Sequence, residues 1–230
     1  MAMSPLFSIV DWGVREYRAC LDAQRDLVAR RIAGSCGDTL VFAEHPPVLT
    51  IGRQGGKANI LVSPDVLRSR GIEVVEIERG GDITYHGPGQ LVAYPIFLLP
   101  EDHRDVHRFL RCLEKAVADT CRDFGVQAMT ISGLTGVWVG SNGRNASAWQ
   151  GEKKICSMGL AFRKWVSFHG LALNVNGDLS PFSFINLCGL KGKQPTSLAK
   201  ECGADIDLAD VKKALALHLT DLWSSFINGN

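Results

Sequence analysis

Apolar positions along the chain follow two spacings. Between residues 11 and 33, Tyr17, Leu21, Leu27, Val28 and Ile32 recur near the helical period, which predicts a helix over about 13–33 ending near Gly34. "TLVFAEHPPVLTIGR" (39–53) predicts a strand, a break at Pro46-Pro47 and a second short strand. Ser63-Pro64 opens a short helix over 64–70. "IEVVEIERGG" (72–81) predicts a strand running into glycines, and "QLVAYPIFLL" (90–99) a buried strand. Val106, Phe109, Leu110, Leu113, Val117 and Cys121 return to helical spacing over 103–124. "GVWVG" (136–140) and "KKICSMGLAFR" (153–163) read as paired strands around the polar loop "SNGRNASAWQG" (141–151), and "VSFHGLALNV" (166–175) as another strand. A last helix over 207–227 aligns Leu208, Val211, Leu215, Leu219 and Leu222. No repeat or linker interrupts the chain. Irregular alternation of strands and helices, with hairpins, predicts one α+β or mixed α/β domain over 1–230.

Charge and cysteine usage narrow the function. A net charge of +1 offers no nucleic-acid surface and no polybasic membrane anchor. The longest apolar run, 91–100, is interrupted by Pro95 and Pro100 and falls short of the ~20 residues of a membrane span. The N-terminal residues lack a basic start before an apolar core, and they carry acids early, so neither a secretory signal nor a transit peptide is expected. The seven cysteines are scattered without CxxC spacing, which points to reduced thiols in a cytoplasm and to no metal site.

The chemistry concentrates in "RGGDITYHGPGQLVAYPI" (79–96). Four glycines in front of a strand signal unusual backbone or close approach to another molecule. The stretch lacks the Gly-Lys-Ser/Thr of a P-loop, and "GPGQ" opens a strand where a dinucleotide fingerprint opens a helix, so a phosphate site is excluded on both counts. Two tight turns would account for the glycines alone. Arg79, Thr84, Tyr85 and His86 bunched beside exposed backbone N–H groups favour a small-ligand site instead.

That stretch resembles the signature of the lipoyl (octanoyl) transferases. "EHPPVLTIGRQG" (44–55), "GVWV" (136–139), "KICSMG" (154–159), "HGLALNV" (169–175) and "FINLCGL" (184–190) resemble further blocks of that family in the same order, over roughly 40–200. Two departures stand out: Leu187 occupies the position before the cysteine where the family usually has proline, and the loop 141–151 is longer than usual. The resemblance implies a mixed sheet flanked by helices, similar to the catalytic domains of biotin and lipoate ligases. It implies no cofactor and transfer of an octanoyl group from octanoyl-acyl carrier protein to a lysine of lipoyl domains. The acceptors would be 2-oxoacid dehydrogenase complexes and the glycine cleavage H protein, and the enzyme a cytoplasmic monomer. The competing readings are an ATP-dependent lipoate or biotin ligase, which needs no catalytic cysteine, and a passive acyl-binding module.

The family's thioester cysteine falls on Cys188, and the lysine that lowers its pKa on Lys154. Strand alternation separates Lys153 from Lys154 and puts Lys154 on the face of Cys156 and Met158. His86 and His169 compete as partners of the thiol, and Cys156 competes as nucleophile, although its mid-strand place suits an inert core thiol. The resemblance assigns substrate contact to Arg79, Gly80, Gly81, Asp82, Ile83, Thr84, Tyr85 and His86, to Ser157, Met158 and Gly159, and to Gly170, Leu171 and Ala172. Backbone N–H groups at Gly80–Gly81 or after Cys188 are the expected oxyanion donors.

Overall fold

The computed structural model describes residues 6–140, 152–186 and 194–229. Cys188 and the loop 141–151 therefore lie outside the described residues. The elements, in chain order, begin with β1 (Ser8–Val14), α1 (Tyr17–Ile32), β2 (Thr39–Glu44), β3 (Val48–Ile51), α2 (Pro64–Ser69), β4 (Glu73–Glu76), β5 (Ile83–His86) and β6 (Gln90–Ile96). They continue with α3 (Val106–Asp123), β7 (Ala128–Ile131), β8 (Leu134–Val139), β9 (Lys153–Arg163), β10 (Val166–Asn174), β11 (Gln194–Pro195), α4 (Leu198–Cys202) and α5 (Leu208–Ile227). The fold is mixed α+β, as the pattern predicts. The larger sheet runs β1-β2-β6-β10-β9-β8-β7, with β11 pairing β9, and a smaller sheet runs β4-β3-β5.

The buried strands separate their side chains by parity. Leu40 and Phe42 of β2 join the core against α3 and α5, while Val41 and Ala43 join the core that holds Cys20 and Val28 of α1. A run buried on both faces is what a sheet covered by helices on both sides requires. Phe109, Leu113, Val117 and Cys121 of α3 meet Val211, Leu215, Leu219, Trp223 and Phe226 of α5 in one cluster. Side chains cap the helix starts: Asp105 accepts the Arg108 N–H at 2.9 Å, and Asp207 accepts that of Ala209 at 2.8 Å.

Several boundaries differ from the pattern. Gly13 and Val14 belong to β1, not to the first helix, which starts at Tyr17. β1 is an edge strand paired with β2 only, so its exposed residues show no clear alternation. The strand expected over 72–81 ends at Glu76, and residues 79–82 form turns that lead into β5, which the glycines concealed.

Candidate active site

A cleft lies between the α1-side face of the larger sheet and β5 of the smaller one. Its floor is formed by Ser157, Met158 and Gly159 of β9 against Gly170, Leu171 and Ala172 of β10, the paired partners of an antiparallel ladder. Across from the floor stand Arg79, Gly81, Asp82, Ile83, Thr84 and His86. Of the substrate-contact residues that the resemblance names, only Gly80 and Tyr85 stay off the lining. Gly80 serves as a backbone tie, its N–H donating to the Leu160 carbonyl at 2.8 Å. That bond removes it as an oxyanion donor. Tyr85 points to the other side of β5, where its ring meets Phe182 edge-on at 5.6 Å. Tyr17, Val92, Tyr94, Trp138 and His169 complete the lining. Of these only His169 was singled out from the sequence, and as a base.

Glycine at 159 is a requirement of space. A Cβ there would lie 2.6 Å from the Gly80 carbonyl oxygen and 3.0 Å from Cδ of Arg79. The Arg79–Gly80 turn thus rests on the strand surface, and Arg79 is nearly buried. Its guanidinium donates to the Thr50 carbonyl at 2.7 Å, to Thr50 Oγ1 at 3.0 Å and to the Gly80 carbonyl at 3.0 Å. Opposite, Thr84 Oγ1 reaches Ser157 Oγ at 3.4 Å and ties β5 to the floor. Asn59 donates to both oxygens of Asp82, at 2.8 and 2.7 Å.

His86 belongs to a directed chain of hydrogen bonds. Gln90 uses its amide nitrogen on Asn174 Oδ1 (2.9 Å) and the Tyr85 carbonyl (3.2 Å), so its Oε1 accepts from His86 Nδ1 at 2.8 Å. His86 Nε2 is then the acceptor for the Thr50 hydroxyl at 3.3 Å. With both nitrogens engaged and burial pushing its pKa down to about 3, reinforced by neighbouring His45, His86 is a neutral brace and a poor base for a thiol. Burial likewise lowers His45 and His169 to about 4.

These three buried histidines make a prediction. Each has a folded pKa below its unfolded value of ~6.5, so the unfolded chain binds protons first as pH falls. Stability from neutral burial is present above ~6.5 and is lost towards pH 4, at about 1.4 kcal/mol per pH unit for each histidine. Urea midpoints should therefore fall steeply from pH 7 to pH 5. A flat profile over that range would show that the rings are not held neutral.

Lys154 enters the cleft, but for a different reason from the one alternation suggests. Val137 pairs with Cys156 while the next residue, Trp138, pairs with Lys154, so β9 carries one extra residue at Ile155. Ile155 and Cys156 consequently both pack into the core against α3 and α5, and Lys154 shares the cleft with Ser157 instead of with Cys156. The bulge is supported by the fully buried Glu114 of α3, whose Oε1 accepts the Gly136 N–H at 2.7 Å. Gly136 has φ +113°, and a Cβ on it would meet Lys154 Cε at 2.7 Å. The ammonium lies 5.0 Å from the Trp138 ring centre, within cation–π range. Lys153 points elsewhere and pairs with Glu201. Cys156 is fully buried, does not line the cleft, and has its pKa driven far above the usual thiol range, first by burial and then by Cys121. It is an inert thiol.

The described residues on either side of 187–193 lie beside this site. Asn186 N–H donates to the Asn59 carbonyl at 2.8 Å, next to the Asp82 that lines the cleft. Gln194 and Pro195 of β11 pair in register with Lys153 and Lys154.

The fold is shared with proteins described as lipoate and biotin protein ligases. A bi-partite lipoate protein ligase from Thermoplasma acidophilum superposes with TM-score 0.72 at 19% identity, covering 96% of this chain and 85% of its own. Biotin protein ligase from Aquifex aeolicus, bound to biotin and ATP, superposes at 0.57 and 14% identity, covering 96% and 72%. A family model described as the lipoyl protein ligase A/B catalytic domain matches residues 16–220. Proteins named octanoyltransferase are far more similar in sequence. That of Desulfotalea psychrophila is 46% identical over 95% of this chain and 94% of its own, and that of Chloroflexus aurantiacus 44% over 90% of each. The chain belongs to the lipoyl protein ligase A/B catalytic-domain family and, within it, to the octanoyltransferases.

Proposed function

We propose that the protein transfers an octanoyl group from octanoyl-acyl carrier protein to the ε-amine of a lipoyl-domain lysine, through a thioester on Cys188. The observation that carries this reading is Lys154. In a chain of octanoyltransferase sequence, a bulge turns this lysine into a cleft with a mainly apolar floor, where its sequence neighbours go to the core or to Glu201. An acyl chain suits such a floor, and a cation at one end suits a thiolate.

In the first step the Cys188 thiolate attacks the donor carbonyl. The new C–S bond forms, the carrier C–S bond breaks, and the carrier leaves as a thiol carrying a proton relayed by Lys154. In the second step the acceptor amine attacks the thioester. The C–N bond forms, the bond to Cys188 breaks, and the surplus amine proton passes to Lys154, leaving Cys188 as thiolate. Thioester exchange is close to thermoneutral and aminolysis to an amide is strongly downhill, so the two steps together need no nucleotide. This separates the reading from that of a ligase, whose fold is shared but which activates a free acid.

The test is transfer from octanoyl-acyl carrier protein to a lipoyl domain without ATP, read as a 126 Da-class mass gain on the acceptor lysine peptide; ~all activity is expected to persist when nucleotide is removed, because a thioester donor is already activated. Dependence on ATP and free octanoate would establish the ligase reading instead.

A further inference from the structure

The cleft is closed at the end away from Lys154 by polar atoms that the protein does not satisfy. The cause lies in β6, where Pro95 has no N–H for the ladder. Pairing of β6 with β10 runs from Gln90–Asn174 to Ala93–Leu171 and stops there. The Pro95 carbonyl accepts instead from Ser167 Oγ at 2.6 Å. In this gap His169 adopts φ +57°, in the left-handed region, and its N–H donates to Oε1 of Gln24 on α1 at 2.8 Å. Both residues are buried, at 0% and 2% exposure for Gln24 and His169. Gln24 Nε2 and both ring nitrogens of His169 have no hydrogen-bond partner among the described residues. The nearest charge, Glu78 Oε2, is 3.9 Å from Nε2. His169 lines the cleft and stacks on Phe168 at 4.8 Å.

The ladder gives the length scale. From Lys154 the register advances one step to Cys156 and four more to Leu160, the partner of His169. Five steps span ~17 Å at ~3.4 Å each. An extended eight-carbon chain with ~1.5 Å bonds is ~9 Å long. With the Lys154 side chain at the near end, an extended eight-carbon chain fits between it and His169.

The geometry points to His169, positioned by Gln24, as a polar stop that limits acyl length by desolvation and not by bulk. This rests on the acyl-transfer reading above. Water entering the cleft can bond to the ring nitrogens; an alkyl chain longer than eight carbons strips that hydration and returns nothing, while a terminal hydroxyl at the same depth replaces it.

The test compares octanoyl, decanoyl and 9-hydroxynonanoyl thioesters, the last two equal in length. Wild type is expected to use 9-hydroxynonanoyl about tenfold better than decanoyl in kcat/KM, the discrimination typical of an unmatched polar contact. His169→Phe keeps a ring of similar size and removes the polar atoms, so the preference should swing to decanoyl. Gln24→Met releases the His169 backbone and should bring the ratio towards one. The ratio is taken within each variant, so it does not depend on total activity, and the wild-type comparison decides alone if a variant fails to fold. Equal use of the two long donors by wild type, or an unchanged ratio in a folded His169→Phe, overturns the proposal. Failure of wild type to use octanoyl at all would instead overturn the acyl-transfer reading.

Discussion

Replacing Lys154 by methionine is expected to lower octanoyl transfer by about three orders of magnitude while leaving the fold intact. A positioned acid–base group contributes typically 10²–10⁴-fold, and here one group serves both half-reactions. Methionine retains the length and apolar stem that pack beside Trp138 and loses only the charge and the proton. The midpoint of the pH profile for alkylation of Cys188 should rise towards the ~8.5 of an unassisted thiol. Lys154→Arg should hold that midpoint low, because charge remains, yet fail in the second half-reaction, because arginine does not release its proton. Lys153→Ala should alter neither, since Lys153 is occupied with Glu201. The measurement is iodoacetamide rate against pH, with Cys188 followed by mass spectrometry. A shift with Lys153→Ala, or with His169→Ala but not with Lys154→Met, would relocate the base.

Gly170→Ala should be the most damaging single-methyl change in the floor of the cleft. A Cβ there would lie 2.1 Å from the Ala93 carbonyl oxygen and 2.8 Å from Cδ of Pro95. Both contacts are to the neighbouring central strand, so neither can be relieved by a side-chain rotation. β6 must move off β10, breaking the packed ladder that carries Leu171 and Ala172, at an expected cost of about 3 kcal/mol or more. Urea unfolding should show this as a lowered midpoint at unchanged m-value. A loss below ~1 kcal/mol would mean that the sheet yields at Pro95 more easily than its burial suggests.

The long periodic segments were legible because one interaction decides each of them. The stripe of Phe109, Leu113, Val117 and Cys121 enters one core, shared with α5 and the larger sheet, and its period shows it. The glycine stretch likewise marked a wall of the cleft, because closely approaching backbones leave glycine as a trace: Gly159 faces the Gly80 carbonyl. What escaped was set by pairing between distant segments. Tyr17, Val92, Tyr94 and Trp138 reach the cleft only through the order of the sheet and the docking of α1. That Lys154 and not Lys153 enters the cleft has a reason that regular alternation cannot supply, since the extra residue at Ile155 arises from the pairing of β9 with β8. Parity alone would have sent Lys154 with Cys156. The left-handed His169 is equally silent in the sequence, being a consequence of Pro95 on the adjacent strand.

The central claim is a covalent one, and intact mass tests it most directly. After incubation with octanoyl-acyl carrier protein and no acceptor, the protein should gain one octanoyl group. Peptide mapping should place it on the peptide that carries Cys188, and addition of a lipoyl domain should discharge it. An adduct on Cys156, or turnover with no acyl-enzyme at any time point, would contradict the account.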